Sequence, residues 1–212
     1  MDETNYRPLN EDPEPLGWNA ITEAFEKLYP GQDNPKHFAN PIPWRLGGQY
    51  PLQGVSVYDG GDFFHFVTYG LTDLYDKEGT DPEYSGYGYE FTLKLRKAGL
   101  GAEMDELHCI GGILQDLAKL TFEKGEQFYP NEYIYTGQTT GIDVNQRSAL
   151  TGFVTALDEA GTIDTPNGKV DFVKLIGVAD AELKAILDQK ITVQELIGKI
   201  GDITDYARDS VI

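Results

Sequence analysis

The stretch SGYGYEFTLKLRK, residues 85–97, decides how the chain is read. Gly86 and Gly88, one residue apart, suggest a loop that cradles phosphate. A dinucleotide loop, however, needs a strand before its glycines, a third glycine after them and a helix N-terminus to face the pyrophosphate. Here Phe91 occupies the third-glycine position and strict alternation follows. Tyr87, Tyr89, Phe91, Leu93 and Leu95 fall on one side; Gly88, Glu90, Thr92, Lys94 and Arg96 fall on the other. A period of two predicts a half-buried β-strand with one large aromatic face. The glycines then relieve backbone crowding or allow a bulge where the strand begins.

Working outward, GVSVYDG (54–60) and DFFHFVTYG (62–70) read as two more strands, with Gly60-Gly61 as a hairpin-type break. Before them, GWNAITEAFEKLY (17–29) places Trp18, Ile21, Phe25 and Leu28 at helical spacing, and Pro30-Gly31 stop it. The proline-rich segment from Pro30 to Pro43 has no periodicity and reads as a loop. Downstream, Glu103 to Glu123 predicts a long helix with Leu107, Ile110, Leu114, Leu117 and Phe122 along one side. Its Gly111-Gly112 pair suggests close approach of another element. Strands are expected in YPNEYIYTGQT (129–139), SALTGFVTALDEA (148–160) and GKVDFVKLIGV (168–178), with a hairpin signal at Asn167-Gly168. Two short helices end the pattern, at 179–190 and 192–200, the second with Thr192 as N-cap and Glu195 completing a capping box. Strands and helices mix without regular alternation. This predicts an α+β fold with a mixed or mostly antiparallel sheet and flanking helices. The expected organisation is a flexible, acidic, proline-containing lead-in over residues 1–16 and one domain over 17–212.

The chain has 212 residues, 40% hydrophobic and 25% charged, ordinary for a globular protein. The sign of its charge is not ordinary. Thirty-five acids against seventeen bases leave a formal net charge of -18. Nucleic acid, whose binding is driven by clustered Lys and Arg, is excluded as a natural partner. An anionic membrane surface would repel the chain, and no apolar run approaches the roughly 20 residues of a membrane helix. A basic protein would be attracted, although excess acid also serves solubility alone. With one cysteine, Cys109, and no signal-peptide pattern at the start, a cytoplasmic location is expected.

Catalytic chemistry finds little material. Of three histidines, His65 alternates with Phe64 and Phe66 in a strand, where a hydrogen-bonded or surface role is usual. His108 and Cys109 are helix neighbours about 100° apart, and no HExxH or CxxC motif accompanies them. Cys109 reads as a small packed hydrophobe. No serine lies in a GxSxG elbow, and the many acid pairs read as a solvated face. No catalytic residue, metal or cofactor is expected, and the chain reads as a binder before an enzyme.

Several motifs, taken in order, carry a resemblance: LYPGQDNPKHF (28–38), WRLGGQYPLQGVSVYDG (44–60), HFVTYGLTDLY (65–75) and SGYGYEFTLKL (85–95). Together they resemble the N-terminal domain of the Suppressor of fused family, a match continuing through 165–183 and 203–211. The resemblance implies the α+β fold of that family and a non-enzymatic role. Animal members hold Gli-type transcription factors through a short peptide that adds as a β-strand between the N-terminal domain and a second, C-terminal one. By position, Tyr75 and Asp81 correspond to the family's peptide-contacting tyrosine and aspartate. The acidic connection DLYDKEGTDPEY (73–84) and the strand bearing Tyr87 and Tyr89 then become a partner-facing edge for a protein or extended peptide. Read structurally instead, Tyr75 suits a core aromatic and Asp81, before Pro82, a turn. The single-domain form is similar to bacterial members of the superfamily, some regarded as immunity proteins that neutralise a cognate toxin. An unrecognised hydrolase or nucleotide-binding enzyme is the reading from another class, and it requires a deep polar pocket.

Overall fold

The computed structural model describes residues 13–75 and 83–212. Its elements are α1 (Leu16–Leu28), β1 (Lys36–Ala39), β2 (Gly54–Asp59), β3 (Phe63–Tyr69), β4 (Tyr84–Arg96), α2 (Glu103–Lys124), β5 (Tyr133–Ile134), β6 (Leu150–Thr165), β7 (Gly168–Ala179), α3 (Asp180–Leu187) and α4 (Val193–Ile200). The strands form one sheet in the order β1-β2-β3-β4-β7-β6-β5. Neighbours run antiparallel except at the centre, where β4 and β7 are parallel. Two antiparallel blocks are thus joined through β4, the strand of the opening stretch. The expected α+β fold, a mixed sheet flanked by helices, is the one observed.

The central strands are covered on both faces. On one, Phe64, Phe66, Phe91, Leu93, Leu95, Val173 and Leu175 meet Leu107, Ile110, Leu114 and Leu117 of α2. On the other, Tyr58, Val67, Tyr69, Val170 and Phe172 pack under Ile21 and Phe25 of α1. Farther along that second face, Val154, Ile176 and Val178 lie under Leu183, Ile186 and Leu196 of α3 and α4. Burying one such aromatic is worth roughly 3 kcal/mol, so the three clusters are the main support of the fold. The predicted caps act as expected at α4, where Thr192 Oγ1 accepts from Glu195 N–H and Glu195 accepts from Thr192 N–H. The β6–β7 hairpin turns at Pro166-Asn167, and Gly168 follows at φ 107°.

The structure corrects five expectations. β4 is not half-buried: Glu90, Thr92 and Lys94 are also enclosed, Glu90 against Thr68 and Thr72, Thr92 against Asp158, and Lys94 against Glu159 and Asp202. Nor is β4 an edge; among the described residues the edges are β1 and β5. β1 lies inside the segment read as loop, and four residues between prolines are too few to show a period. Of the strand expected over 129–139 only Tyr133–Ile134 pairs. A Cβ added to Gly111 or Gly112 would meet nothing within 4 Å, so neither glycine marks a close approach.

Candidate functional site

The first residues of β4 build the site. Tyr84 pairs with Lys169 and Tyr89 with Asp171, so residues 85–88 oppose Val170 alone in a wide bulge. Gly86 and Gly88 stand at φ 56° and 87°, a region that disfavours side chains. A Cβ on Gly86 would also sit 2.7 Å from the Leu71 carbonyl oxygen. The glycines therefore allow the bulge and the close approach of Leu71–Asp73. Tyr87 N–H donates to the Leu71 carbonyl (2.9 Å), Asp73 N–H to Ser85 Oγ (3.0 Å) and Gly86 N–H to Asp73 Oδ2 (3.2 Å).

Glu90 fixes the same segment from inside. Its carboxylate accepts from Thr68 Oγ1 (2.6 Å), Thr72 Oγ1 (2.7 Å), Gly70 N–H (2.9 Å) and Thr72 N–H (3.0 Å). Complete burial pushes its pKa up to about 7, and these four donors limit the rise. From the hairpin tip, Asn167 Nδ2 donates to the carbonyls of Asp73 (2.6 Å) and Tyr75 (3.1 Å). Residues 70–75 are thus held along their length by β4 and the turn between β6 and β7.

Between this segment, the 43–53 connection and α2 lies an open groove of about 790 Å³. Pro43, Trp44, Thr72, Tyr75, Tyr87 and Phe122 line it. Phe122 braces the wall, with ring centroids 5.1 Å from Tyr87 and 6.0 Å from Trp44. Tyr75 stands on the rim, 39% exposed, its hydroxyl donating to Gln53 Oε1 (3.1 Å). Tyr87 is half-buried in the wall. Tyr89 is only 3% exposed, with its hydroxyl 2.7 Å from Thr121 Oγ1. It faces the core beneath the bulge, because α2 covers that face of β4. Asp81 lies outside the described residues. Trp44 and Phe122 carry no site signal in the sequence, since they are far apart in it and meet only through packing.

A second polar assembly lies on the face of the sheet under α1. His65 bonds Tyr29 Oη (2.7 Å) through Nδ1 and Asp158 Oδ2 (3.1 Å) through Nε2, and Thr92 Oγ1 donates to the same Asp158 oxygen (3.0 Å). Lys174 Nζ reaches Asp202 (2.6 Å), Glu159 (2.9 Å) and Asp158 (3.6 Å), and Lys94 Nζ reaches Glu159 (2.7 Å) and Asp202 (2.9 Å). Burial acts to raise the Asp158 pKa, but His65, the Ala160 N–H and Lys174 bring it down to about 2. Burial acts to lower Lys174, yet Asp158, Asp202 and Glu159 hold it above its ordinary value. His65, Asp158 and Glu159 have ligand atoms close enough to hold a metal. Two ammonium groups already neutralise these carboxylates, and both imidazole nitrogens are engaged, so a cation would have to displace existing partners. The side chains of His65 and Asp158 are both fully enclosed, while Glu159 and Asp202 at the other end of the network reach solvent. The sequence reading had His65 hydrogen-bonded or surface-facing; it is hydrogen-bonded.

The sequence model of the Suppressor of fused protein (SUFU) family matches residues 48–209, most of the chain and all of the β4 region. The chain belongs to that family. Human Suppressor of fused homolog is 27% identical over 181 residues, which cover 79% of this chain and 36% of the human protein. The chain therefore spans about a third of that relative's length. A chain from the crystal structure of a Sufu–Fu complex superposes with a TM-score of 0.77 at 26% identity, covering 93% of this chain and 92% of that one. Drosophila Suppressor of Fused gives a TM-score of 0.73 at 27% identity, covering 93% of this chain and 51% of the fly chain. Among the described residues of this SUFU-family chain, no helix is long and apolar enough to cross a membrane.

Proposed function

We propose that this chain is a non-catalytic protein-binding domain that sequesters a protein or peptide partner through the groove beside the β4 bulge. The observation that carries the reading is the groove's construction. Its wall is aromatic and proline-rich, open to solvent, and backed by a segment that Glu90, Ser85 and Asn167 hold rigidly in place. Pre-organised aromatic surface is what a binding site needs to avoid ordering costs on association. The structural relative seen with Fu supports the same class of role. A catalytic reading lacks support among the groove's described residues, which gather no nucleophile, base and orienter; the His65 and Asp158 side chains are fully enclosed elsewhere. Tyr75 and Tyr87 are the proposed contacts, and Asp81 joins them on family resemblance alone. Neutralisation of a basic toxin is a narrower form of the same reading, favoured by the net charge of -18.

Affinity capture from lysate of the source organism tests the proposal, comparing the wild type with Trp44→Ala and Tyr75→Ala. Each variant is expected to retain its melting temperature and to lose capture of the wild type's partner by about tenfold, the usual consequence of removing an aromatic anchor. Undiminished capture by both variants sinks the groove.

A further inference from the structure

A smaller hollow of about 390 Å³ adjoins the groove and shares Gly86 and Tyr87 with it. Tyr84, Tyr87 and Tyr129 are among its walls, and Asp171 of β7 lines it. Tyr84 and Tyr129 are about half exposed, at 49% and 53%. Their positions are set from below. A Cβ on Gly88 would lie 3.3 Å from the Tyr84 ring, so glycine there lets that ring lie down over the bulge. Tyr129 is tied through its N–H to Glu132 (3.0 Å) and through its hydroxyl to Gln127. Tyr87 is buttressed by Phe122. Asp171 Oδ1 accepts from Thr162 Oγ1 (2.5 Å), whereas Oδ2 accepts no hydrogen bond among the described residues.

Tyr84, Tyr87, Tyr129 and a carboxylate with an acceptor open among the described residues define a ligand chemistry. Aromatic faces attract a cation through the ring quadrupole. The carboxylate adds a charge-assisted hydrogen bond. An aliphatic or aromatic side chain would satisfy the rings but strip water from Asp171 without replacing it, at a cost. A guanidinium suits the hollow better than an ammonium, because it is planar, stacks on rings and is less strongly hydrated. The chain's charge of -18 raises the local concentration of any such cation. We propose that this hollow receives an arginine side chain of the protein partner, stacked against the tyrosines and hydrogen-bonded to Asp171. That the arginine belongs to a protein partner rests on the binding role above. The hollow's preference for a guanidinium does not.

The test uses the intact chain with ¹³C-labelled tyrosine, titrated by NMR with N-acetyl-arginine amide and, separately, N-acetyl-norleucine amide. The arginine derivative is expected to give saturable shifts at Tyr84 and Tyr129, and the norleucine derivative none. Asp171→Asn, which keeps the acceptor for Thr162, should weaken arginine binding about tenfold. Tyr84→Ala, altering an exposed ring outside the core, should weaken it severalfold and guards against an Asp171 variant that fails to fold. Equal response to the two derivatives, or no loss in either variant, overturns the assignment. Because Trp44→Ala and Tyr75→Ala leave this hollow intact, failure of the groove would appear as retained partner capture in those variants. Failure of the arginine site would appear only in the titration.

Discussion

Glu90 couples the burial of one carboxyl to the geometry of the whole groove wall. An unfolded glutamate releases its proton near pH 4.5, whereas this one holds it to about pH 7. Between those values the folded chain binds a proton that the unfolded chain has lost, so stability falls as pH rises through the window. Above about pH 7 the cost is complete, on the order of 3 kcal/mol at most. Glu90→Gln should flatten this dependence: chemical denaturation of wild type and variant across the window should show a slope in the first that the second lacks. An equal slope in both would mean that Glu90 does not titrate there. The carboxylate was visible in the sequence as one polar residue in an alternating strand, which pointed to solvent. Its burial depends on the 68–72 segment, about 20 residues upstream, whose placement against β4 no local pattern encodes.

At the level of elements, the segment after α4 is bound to the sheet rather than trailing from it. Thr204 N–H donates to the Lys94 carbonyl (2.8 Å), Arg96 N–H donates to the Thr204 carbonyl (2.9 Å), and Thr204 Oγ1 accepts from Gly177 N–H (2.9 Å). Four residues on, Arg208 makes a two-pronged ion pair with the fully enclosed Glu182 of α3, at 2.7 and 2.6 Å. Arg208→Ala would leave the Glu182 charge buried with only the Ala179 and Val211 N–H groups as donors. The expected loss is about 3 kcal/mol, with hydrogen-exchange protection falling first over residues 203–211. Arg208→Lys should recover only part of it, since an ammonium cannot bridge both oxygens in one plane. If exchange rises no more there than elsewhere, the pair is not what holds the segment. Helical periods, caps and the hairpin turn of these elements were readable because each is a local pattern of charge, apolar spacing or turn chemistry. The four-residue β1 and two-residue β5 are too short to carry a period, and they exist through pairing with β2 and β6.

Across the whole molecule, the excess of acid makes association with a basic partner a matter of long-range attraction. The on-rate should fall by roughly tenfold between low and physiological ionic strength, while groove variants such as Trp44→Ala should chiefly raise the off-rate. Stopped-flow or surface-binding kinetics at several salt concentrations would separate the two. A salt-independent on-rate would remove charge from the account of recognition.

The fold class, most of the elements and the family were legible in the chain alone, because alternation, helical period and motif order are properties of neighbours in sequence. The bulge was one of the two roles the sequence left open for Gly86 and Gly88, the other being relief of backbone crowding, and the structure shows it. Resemblance offered Tyr75 and Asp81 as partner contacts and the tyrosine-rich strand added Tyr87 and Tyr89, but the chain alone could not separate Tyr87 from Tyr89, which shares its residue type and strand face. Packing made that distinction: α2 closes over Tyr89 and leaves Tyr87 in the groove wall and Tyr75 on the rim. It also made β4 a central strand, enclosed Glu90 and the His65–Asp158 network, and brought Trp44, Phe122, Tyr129 and Asp171 to the two hollows. Such contacts join residues tens of positions apart, and burial of apolar area, which selects them, has no direction along the chain.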